Sequence, residues 1–398
     1  METRGKSPFF SFGGNFSMTA AGIICEYNPF HLGHARQLSL IRHTLTPQTP
    51  IICVMSGNYV QRGEPAMWDK FTRAQAAVAC GADLVLELPI TCVLQSAEGF
   101  AAGGVEILTK CGVVSHLSFG AECGDGEALM TLAERSLSDI CEADLRRYLA
   151  NGLSYAAARQ QTLADTDGLL SKPNNILGLE YCRALLRQNS PLQPLVVQRT
   201  GDYHSTSASD APSATAVRSR YPDGHWQGLV PEQAAPVFIG RPWYAMSFGE
   251  RAMLARLRAL SEEEWSQTAH GSEGLWSKAM KATASCGTLE EIIAATKSKR
   301  YPRTRIQRLL LCAYLGISDA QLRQSVPYSR VLAANDTGRK LLRQIRNNGE
   351  LTVVNPGETP KNADYYRTET RASDLFTLFA APGFPYPAGA EQQARIIF

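Results

Sequence analysis

The chain has 398 residues, 44% hydrophobic and 19% charged, with a net charge of +3. That length suggests two domains, and the composition excludes a disordered or fibrous chain. So small a charge names no partner, and no apolar run approaches the ~18 residues of a membrane span.

Residues 1–18 hold two early basic residues and only a stub of apolar sequence. They are expected to be a disordered extension rather than a signal peptide, with Met18 as an alternative start. Strand and helix patterns then alternate. AAGIIC (20–25), PIICVMS (50–56), DLVLELPI (83–90) and VVSHLSFGAE (113–122) read as four strands. Helices are expected over 33–45, over 69–82 and after residue 96. Near-continuous apolar strands separated by helices predict a Rossmann-like parallel sheet with helices on both faces. Such α/β sheets bind ligands at the carboxyl ends of their strands.

Residues 126–190 read mostly as a helical insertion, LQPLVVQRT (192–200) as a last strand, and 201–220 as turn-rich. The α/β domain is therefore expected to span 19–228. A helical C-terminal domain, 229–398, is expected from periodic segments at 246–260, 289–300, 304–317 and 337–348. Ten cysteines show no Cys-x-x-Cys pair and no zinc spacing, so they read as free thiols of a cytoplasmic protein.

The stretch EYNPFHLGH (26–34) carries the clearest chemistry. Asn28 and Pro29 break the strand pattern. His31 and His34 then open the first helix on one side, one turn apart. A helix start offers free backbone N–H groups and a partial positive charge. Two imidazoles there complete a cradle for phosphate, and Gly33 lets it approach the backbone.

This His-x-Gly-His at the first strand–helix junction resembles the signature of the nucleotidyltransferase superfamily, whose members bind ATP and form adenylates. PSATAVR (212–218), after the last strand, resembles its second signature. There Ser213 either caps a helix or meets phosphate, while Thr215 and Arg218 share a face. Longer strings are similar to one narrower family, the bacterial tRNA(Met) cytidine acetate ligases. They are SGNYVQRGEPAMWDKFTRAQAAVACGADLVLELP, SFGAECGD, SKPNNILGLEY and RYPRTRIQRLLL.

The resemblance implies a nucleotidyltransferase-like fold and a ligase. ATP, with Mg2+ expected and no organic cofactor, would adenylate acetate. The acetyl group would then pass to the wobble cytidine of elongator tRNA(Met). By the same resemblance the ATP site would comprise Ile24, Cys25, Glu26, Tyr27, Asn28, Pro29, Phe30, His31, Leu32, Gly33 and His34. Gly120, Asn174, Asn175, Arg199, Ser213, Thr215 and Arg218 would complete it. Asn174 and Asn175 are either amide ligands or helix caps, and Arg199 either reaches phosphate or ends a solvated strand. His31, His34, Lys70 and Arg218 are the candidate catalytic residues, although Lys70 fits a solvated helix start as well as a pyrophosphate contact. No carboxylate cluster marks a metal site. Leu32 stands where relatives tend to have Asn, and Ser205 where they tend to have Asp.

The segment 297–308 has six basic and no acidic residues: Lys297, Lys299, Arg300, Arg303, Arg305 and Arg308. It reads either as a tRNA-binding stripe or as a solvated helix face. Two other functions stay open, a nucleotidyltransferase adenylating a small phosphorylated acceptor and a non-catalytic RNA-binding protein.

Overall fold

The computed structural model describes residues 19–153, 155–163, 168–199 and 213–393. The expected extension 1–18 and the segment containing Ser205 lie outside the described residues. Among the described residues nine strands form: β1 (Ala20–Cys25), β2 (Ile51–Ser56), β3 (Tyr59–Val60), β4 (Glu64–Pro65), β5 (Leu84–Leu88), β6 (Val114–Ala121), β7 (Gln193–Gln198), β8 (Ser329–Ala334) and β9 (Val353–Val354). Six helices frame the site: α1 (Leu32–Thr44), α2 (Lys70–Ala79), α3 (Pro173–Arg187), α4 (Ala214–Arg220), α5 (Arg303–Leu315) and α6 (Ala363–Phe376).

Seven strands make one sheet in the order β7-β6-β1-β2-β5-β8-β9, and β3 pairs with β4 in a separate hairpin. All neighbours in the sheet are parallel except β5 and β8. The chain builds outward from β1 to β2 and β5, then crosses to β6 and β7 on the other side. The loops leaving β1 and β6 therefore part in opposite directions, which opens a crevice at the carboxyl ends of these two strands.

Every residue of β1, β2, β5 and β8 is buried, as expected of strands covered on both faces. Their alternate side chains feed two cores. Ile24, Ile52, Val54 and Leu86 pack with Leu309, Leu310, Tyr314 and Phe376 on one face. Ile23, Cys25, Cys53 and Met55 pack with Leu38, Phe71, Trp68 and Phe238 on the other.

The C-terminal portion departs from the expected separate helical domain. Residues 229–322 are helix-rich, but β8 and β9 return to the sheet, and α5 and α6 share a core with its strands. The physical reason is burial. The apolar faces of α5 and α6 have no closed core of their own and cover one face of the sheet.

Lys70 also lies elsewhere than expected. It is 1% exposed, and its Nζ donates to both oxygens of Glu87, at 2.7 and 2.8 Å, and to Glu391. Arg330 Nε meets the other Glu391 oxygen at 3.0 Å, and the Ser373 hydroxyl donates to Glu391 at 2.5 Å. Nearby, burial and then the Glu87 charge push the Glu369 carboxyl up to about 8. Glu369 is therefore largely protonated at neutral pH, and two cations face two carboxylates. Charges this deep persist only when paired. The cluster staples the C-terminal turn Ala390–Gln392 onto α2, β5 and β8.

All ten cysteines are free thiols. Among the described residues no helix is long and apolar enough to cross a membrane.

Replacing Glu391 with Ala strands Lys70 and Arg330 without a counter-charge. Loss of one partner of a buried pair costs about 3–5 kcal/mol. Urea unfolding of Glu391→Ala is expected to show a loss of that size, and a change below about 1 kcal/mol would contradict the staple.

Candidate functional site

A cavity of about 550 Å³ lies at the carboxyl ends of β1 and β6. Its floor begins where β1 ends. Arg73, fully buried on α2, donates to the carbonyls of Trp68 (3.0 Å), Ser56 (3.0 Å), Glu26 and Gly57. Tyr27 then takes a left-handed backbone conformation, φ 42°. Such a conformation is uncommon outside glycine and persists only where its surroundings enforce it. The Asn28 side chain accepts the Met67 N–H at 2.7 Å, which holds the loop down onto the chain before α2.

α1 starts directly after this loop with two crossed caps. The His31 Nδ1 accepts the Gly33 N–H at 3.0 Å, and the His34 Nδ1 accepts the His31 N–H at 3.2 Å. Their rings lie 3.7 Å apart, centroid to centroid. An Nδ1 that accepts a backbone N–H carries no proton, so each neutral ring bears its proton on Nε2. Burial, then the charges of Arg199 and Arg218, push His31 down to about 3. Burial, then His31 and Arg199, hold His34 well below its ordinary value. Both imidazoles line the cavity as neutral hydrogen-bond donors, and positive charge comes from elsewhere.

The arginines supply it. Arg218, on α4, donates to the Asn28 carbonyl at 2.6 Å and to the Thr215 hydroxyl at 3.1 Å. Ser213 caps α4 through the Ala216 N–H at 3.1 Å and lines the cavity too. Arg199, just past β7, lies along Gly120 at the end of β6. A Cβ at Gly120 would sit 3.1 Å from the Arg199 side chain, so the glycine leaves that chain its path. Arg62, in the turn of the β3–β4 hairpin, reaches the same cavity.

The structure separates residues that the sequence grouped. Ile24, Cys25, Glu26, Tyr27, Asn28, His31, His34, Gly120, Asn174, Arg199, Ser213, Thr215 and Arg218 line the cavity. Phe30 faces inward against the Tyr27 and His34 rings, and Leu32 is exposed. Pro29 and Gly33 shape the loop without lining the cavity, and the Gly33 N–H is spent on the His31 cap. Asn175 is 2% exposed, and its side chain accepts the Cys123 N–H at 3.0 Å. Glu122 binds the Asn174 side chain and the Asn175 N–H, at 2.7 and 2.9 Å, so it caps the start of α3. Lys70 does not line the cavity.

Sequence reasoning missed Arg73, Gln37 and an apolar wall of Phe100, Phe119, Ile176, Leu177 and Tyr181. The wall suits the flat face of a purine. Its residues come from three separate segments, so no local pattern announced it. Arg73 follows Lys70 by one turn in the helix after Asp69, where a basic residue signals little.

The basic segment differs from expectation in its partners. Arg300 and Arg305 pair with Glu273, at 2.9 and 3.0 Å, and Arg303 pairs with Glu290 at 2.5 Å. Arg308 is buried, and its guanidinium faces the Gln61 carbonyl at 3.4 Å. Lys297 and Lys299 are exposed and make no ion pair among the described residues. Thr304, at the start of α5, lines the cavity.

A switch-point sheet whose first helix opens with His-x-Gly-His is the architecture of a nucleotidyltransferase. A family model described as HIGH Nucleotidyl Transferase matches residues 18–386. A Clostridium perfringens tRNA(Met) cytidine acetate ligase is 34% identical over 389 residues, covering 91% of this chain and 95% of its own. The Halothermothrix orenii protein of that name is 36% identical over 370 residues, covering 85% and 87%. The crystal structure of apo Thermotoga maritima TmcAL superposes with a TM-score of 0.86 at 28% identity, covering 94% of this chain and 98% of that one. Its form bound with α-thio ATP gives 0.82 at 27%, covering 95% and 97%. The chain belongs to the family of tRNA(Met) cytidine acetate ligases.

The His31 assignment has a pH consequence. The folded pKa, about 3, lies below the ~6.5 of an unfolded histidine. The unfolded chain therefore takes the proton first. The stability contributed is complete above about pH 6.5 and is lost as pH falls toward 3. Imidazole NMR of the free protein is expected to show His31 neutral and protonated at Nε2 down to about pH 4. A midpoint near 6.5 would contradict the crossed caps.

Proposed function

We propose that this protein is an ATP-dependent ligase that adenylates acetate. It then transfers the acetyl group to the N4 amine of the wobble cytidine of elongator tRNA(Met). The products are N4-acetylcytidine, AMP and pyrophosphate. The observation that carries this reading is the cavity itself. Two neutral imidazoles and three arginines share a crevice with an apolar wall, in a chain whose relatives bear that ligase name.

Acetate cannot acylate an amine directly, because oxide would have to leave. Its carboxylate attacks the α-phosphorus of ATP, and the bond to pyrophosphate breaks. Charge grows on the phosphate oxygens in that step. We assign the Nε2–H groups of His31 and His34 and the guanidiniums of Arg199 and Arg218 to meet it. Arg62 and Thr215 are assigned to the outgoing pyrophosphate. We assign Phe119, Leu177 and Tyr181 to the adenine. Mg2+ would shield the triphosphate when bound. Among the described residues no group of three or more His, Cys, Asp or Glu gathers to hold it, so the nucleotide's own oxygens are its natural ligands.

We assign residues 19–228 to the nucleotide and the helical part of 229–398 to the tRNA. Lys297 and Lys299 offer unpaired charge there. Arg300, Arg303 and Arg305 sit in exposed pairs worth little on their own, so a phosphate can replace the carboxylate partner. Arg308 is assigned to the fold rather than to RNA. A tRNA substrate and ten free thiols suit the cytoplasm.

The test is ATP–pyrophosphate exchange across a series of carboxylic acids. Exchange is expected with acetate and absent without a carboxylate, and no exchange with any carboxylate would sink the ligase reading. His34→Ala is expected to slow acetate-dependent exchange by about 10²–10³-fold while leaving tRNA affinity unchanged. Exchange at the wild-type rate would remove His34 from the reaction.

A further inference from the structure

Two carboxylates, Glu26 and Glu64, line a cavity otherwise furnished with arginines and histidines. A carboxylate beside a triphosphate opposes its binding, so each needs a different reason to be there. Glu64 has one in the fold: its Oε1 accepts the Gln307 amide of α5 at 2.9 Å. Glu26 has a more specific placement. It ends β1, and Arg73 holds its carbonyl from below. Its Oε1 accepts the Gln61 N–H at 2.6 Å. Its second oxygen, Oε2, accepts no hydrogen bond among the described residues, yet it is not sealed away with the buried unpartnered atoms. One oxygen is thus anchored and the other faces the cavity.

The anchor belongs to the β3–β4 hairpin, and the hairpin leans on α5. The Arg308 guanidinium meets the Gln61 carbonyl at 3.4 Å. Gly63, at φ +83°, lets the turn press against α5, where a Cβ would come within 2.7 Å of the Arg308 backbone nitrogen. α5 begins inside the basic segment assigned to tRNA. Glu26 is therefore held from the side on which the RNA would arrive, whereas Arg199 and Gly120 lie across the switch point from it.

Resting on the ligase reading above, we propose that Glu26 is the general base of the second half-reaction, taking the proton from the attacking amine. The cytidine N4 attacks the carbonyl carbon of acetyl-adenylate and forms the new C–N bond. The bond from that carbon to the phosphate oxygen breaks, and AMP leaves with the electron pair. The N4 proton passes to Glu26 Oε2 and then to water. The amine of cytidine is delocalised into its ring and has almost no basicity, so its proton must leave as the bond forms. Burial raises the Glu26 carboxyl above its ordinary value, against the opposing pull of the Gln61 N–H and of Arg73, Arg62 and Arg218. A carboxylate of raised basicity is the better acceptor.

The experiment separates the two half-reactions in Glu26→Gln and Glu26→Asp. Glutamine keeps an acceptor for the Gln61 N–H, so the loop retains its anchor. Acetate-dependent ATP–pyrophosphate exchange reports adenylation. Single-turnover transfer from synthetic acetyl-adenylate to tRNA(Met) reports the second step, across pH. Glu26→Gln is expected to lose transfer by about 10²-fold or more beyond any loss of exchange. It is also expected to lose the rising acid limb of the transfer pH profile, with Glu26→Asp restoring part of both. Transfer by Glu26→Gln at the wild-type rate, or equal losses in both assays, would overturn the role. Wild-type enzyme with no acetate-dependent exchange would overturn the ligase reading, and this inference with it.

Discussion

The guanidinium of Arg73 donates to the carbonyls of Glu26, Ser56, Gly57 and Trp68, with no carboxylate among its acceptors. Three of these carbonyls lie just beyond β1 and at or just beyond the end of β2, where the ladder stops supplying donors, and the fourth, that of Trp68, lies just before α2. Buried and unpaired, each would cost on the order of 1–3 kcal/mol. One planar side chain with five N–H groups answers all four, which a lysine could not do. Burial lowers the Arg73 pKa to about 10, which still leaves it charged at neutral pH. The loop that turns from β1 into α1 is therefore laid on a fixed cation. The position of Glu26, the left-handed turn at Tyr27 and the start of α1 all follow from it.

Upon that base the site divides its labour. Hydrogen-bond direction comes from two histidines locked by crossed caps, and charge comes from arginines on three other segments. The division has a physical merit. Protonated imidazoles so close together would repel each other and the arginines, and burial would penalise both. Neutral rings avoid that repulsion and still present Nε2–H donors. Their tautomer is set by backbone groups, so it survives changes in the bound ligand.

Much of this was legible from residues alone. β1 and β2 are apolar runs, and the two histidines follow β1 one helical turn apart. Where the sequence misled, the deciding partner was distant along the chain. Lys70 looked like a solvated helix start because its counter-charge Glu391 lies 321 residues away. The basic segment looked unpaired because Glu273 comes from a turn and Glu290 from another helix. β8 looked like part of a helical domain because its six residues gain their strand identity from pairing antiparallel with β5 and parallel with β9. Short strands and buried charges are settled by tertiary packing, which local periodicity does not report.

The central claim is that the cavity converts acetate into an acyl donor for a tRNA cytidine. Mass spectrometry of tRNA nucleosides tests it most directly, after incubation of the protein with ATP, isotopically labelled acetate and bulk tRNA. The account predicts labelled N4-acetylcytidine that requires both ATP and His34. Nucleosides without label, under conditions where the protein binds ATP, would contradict it.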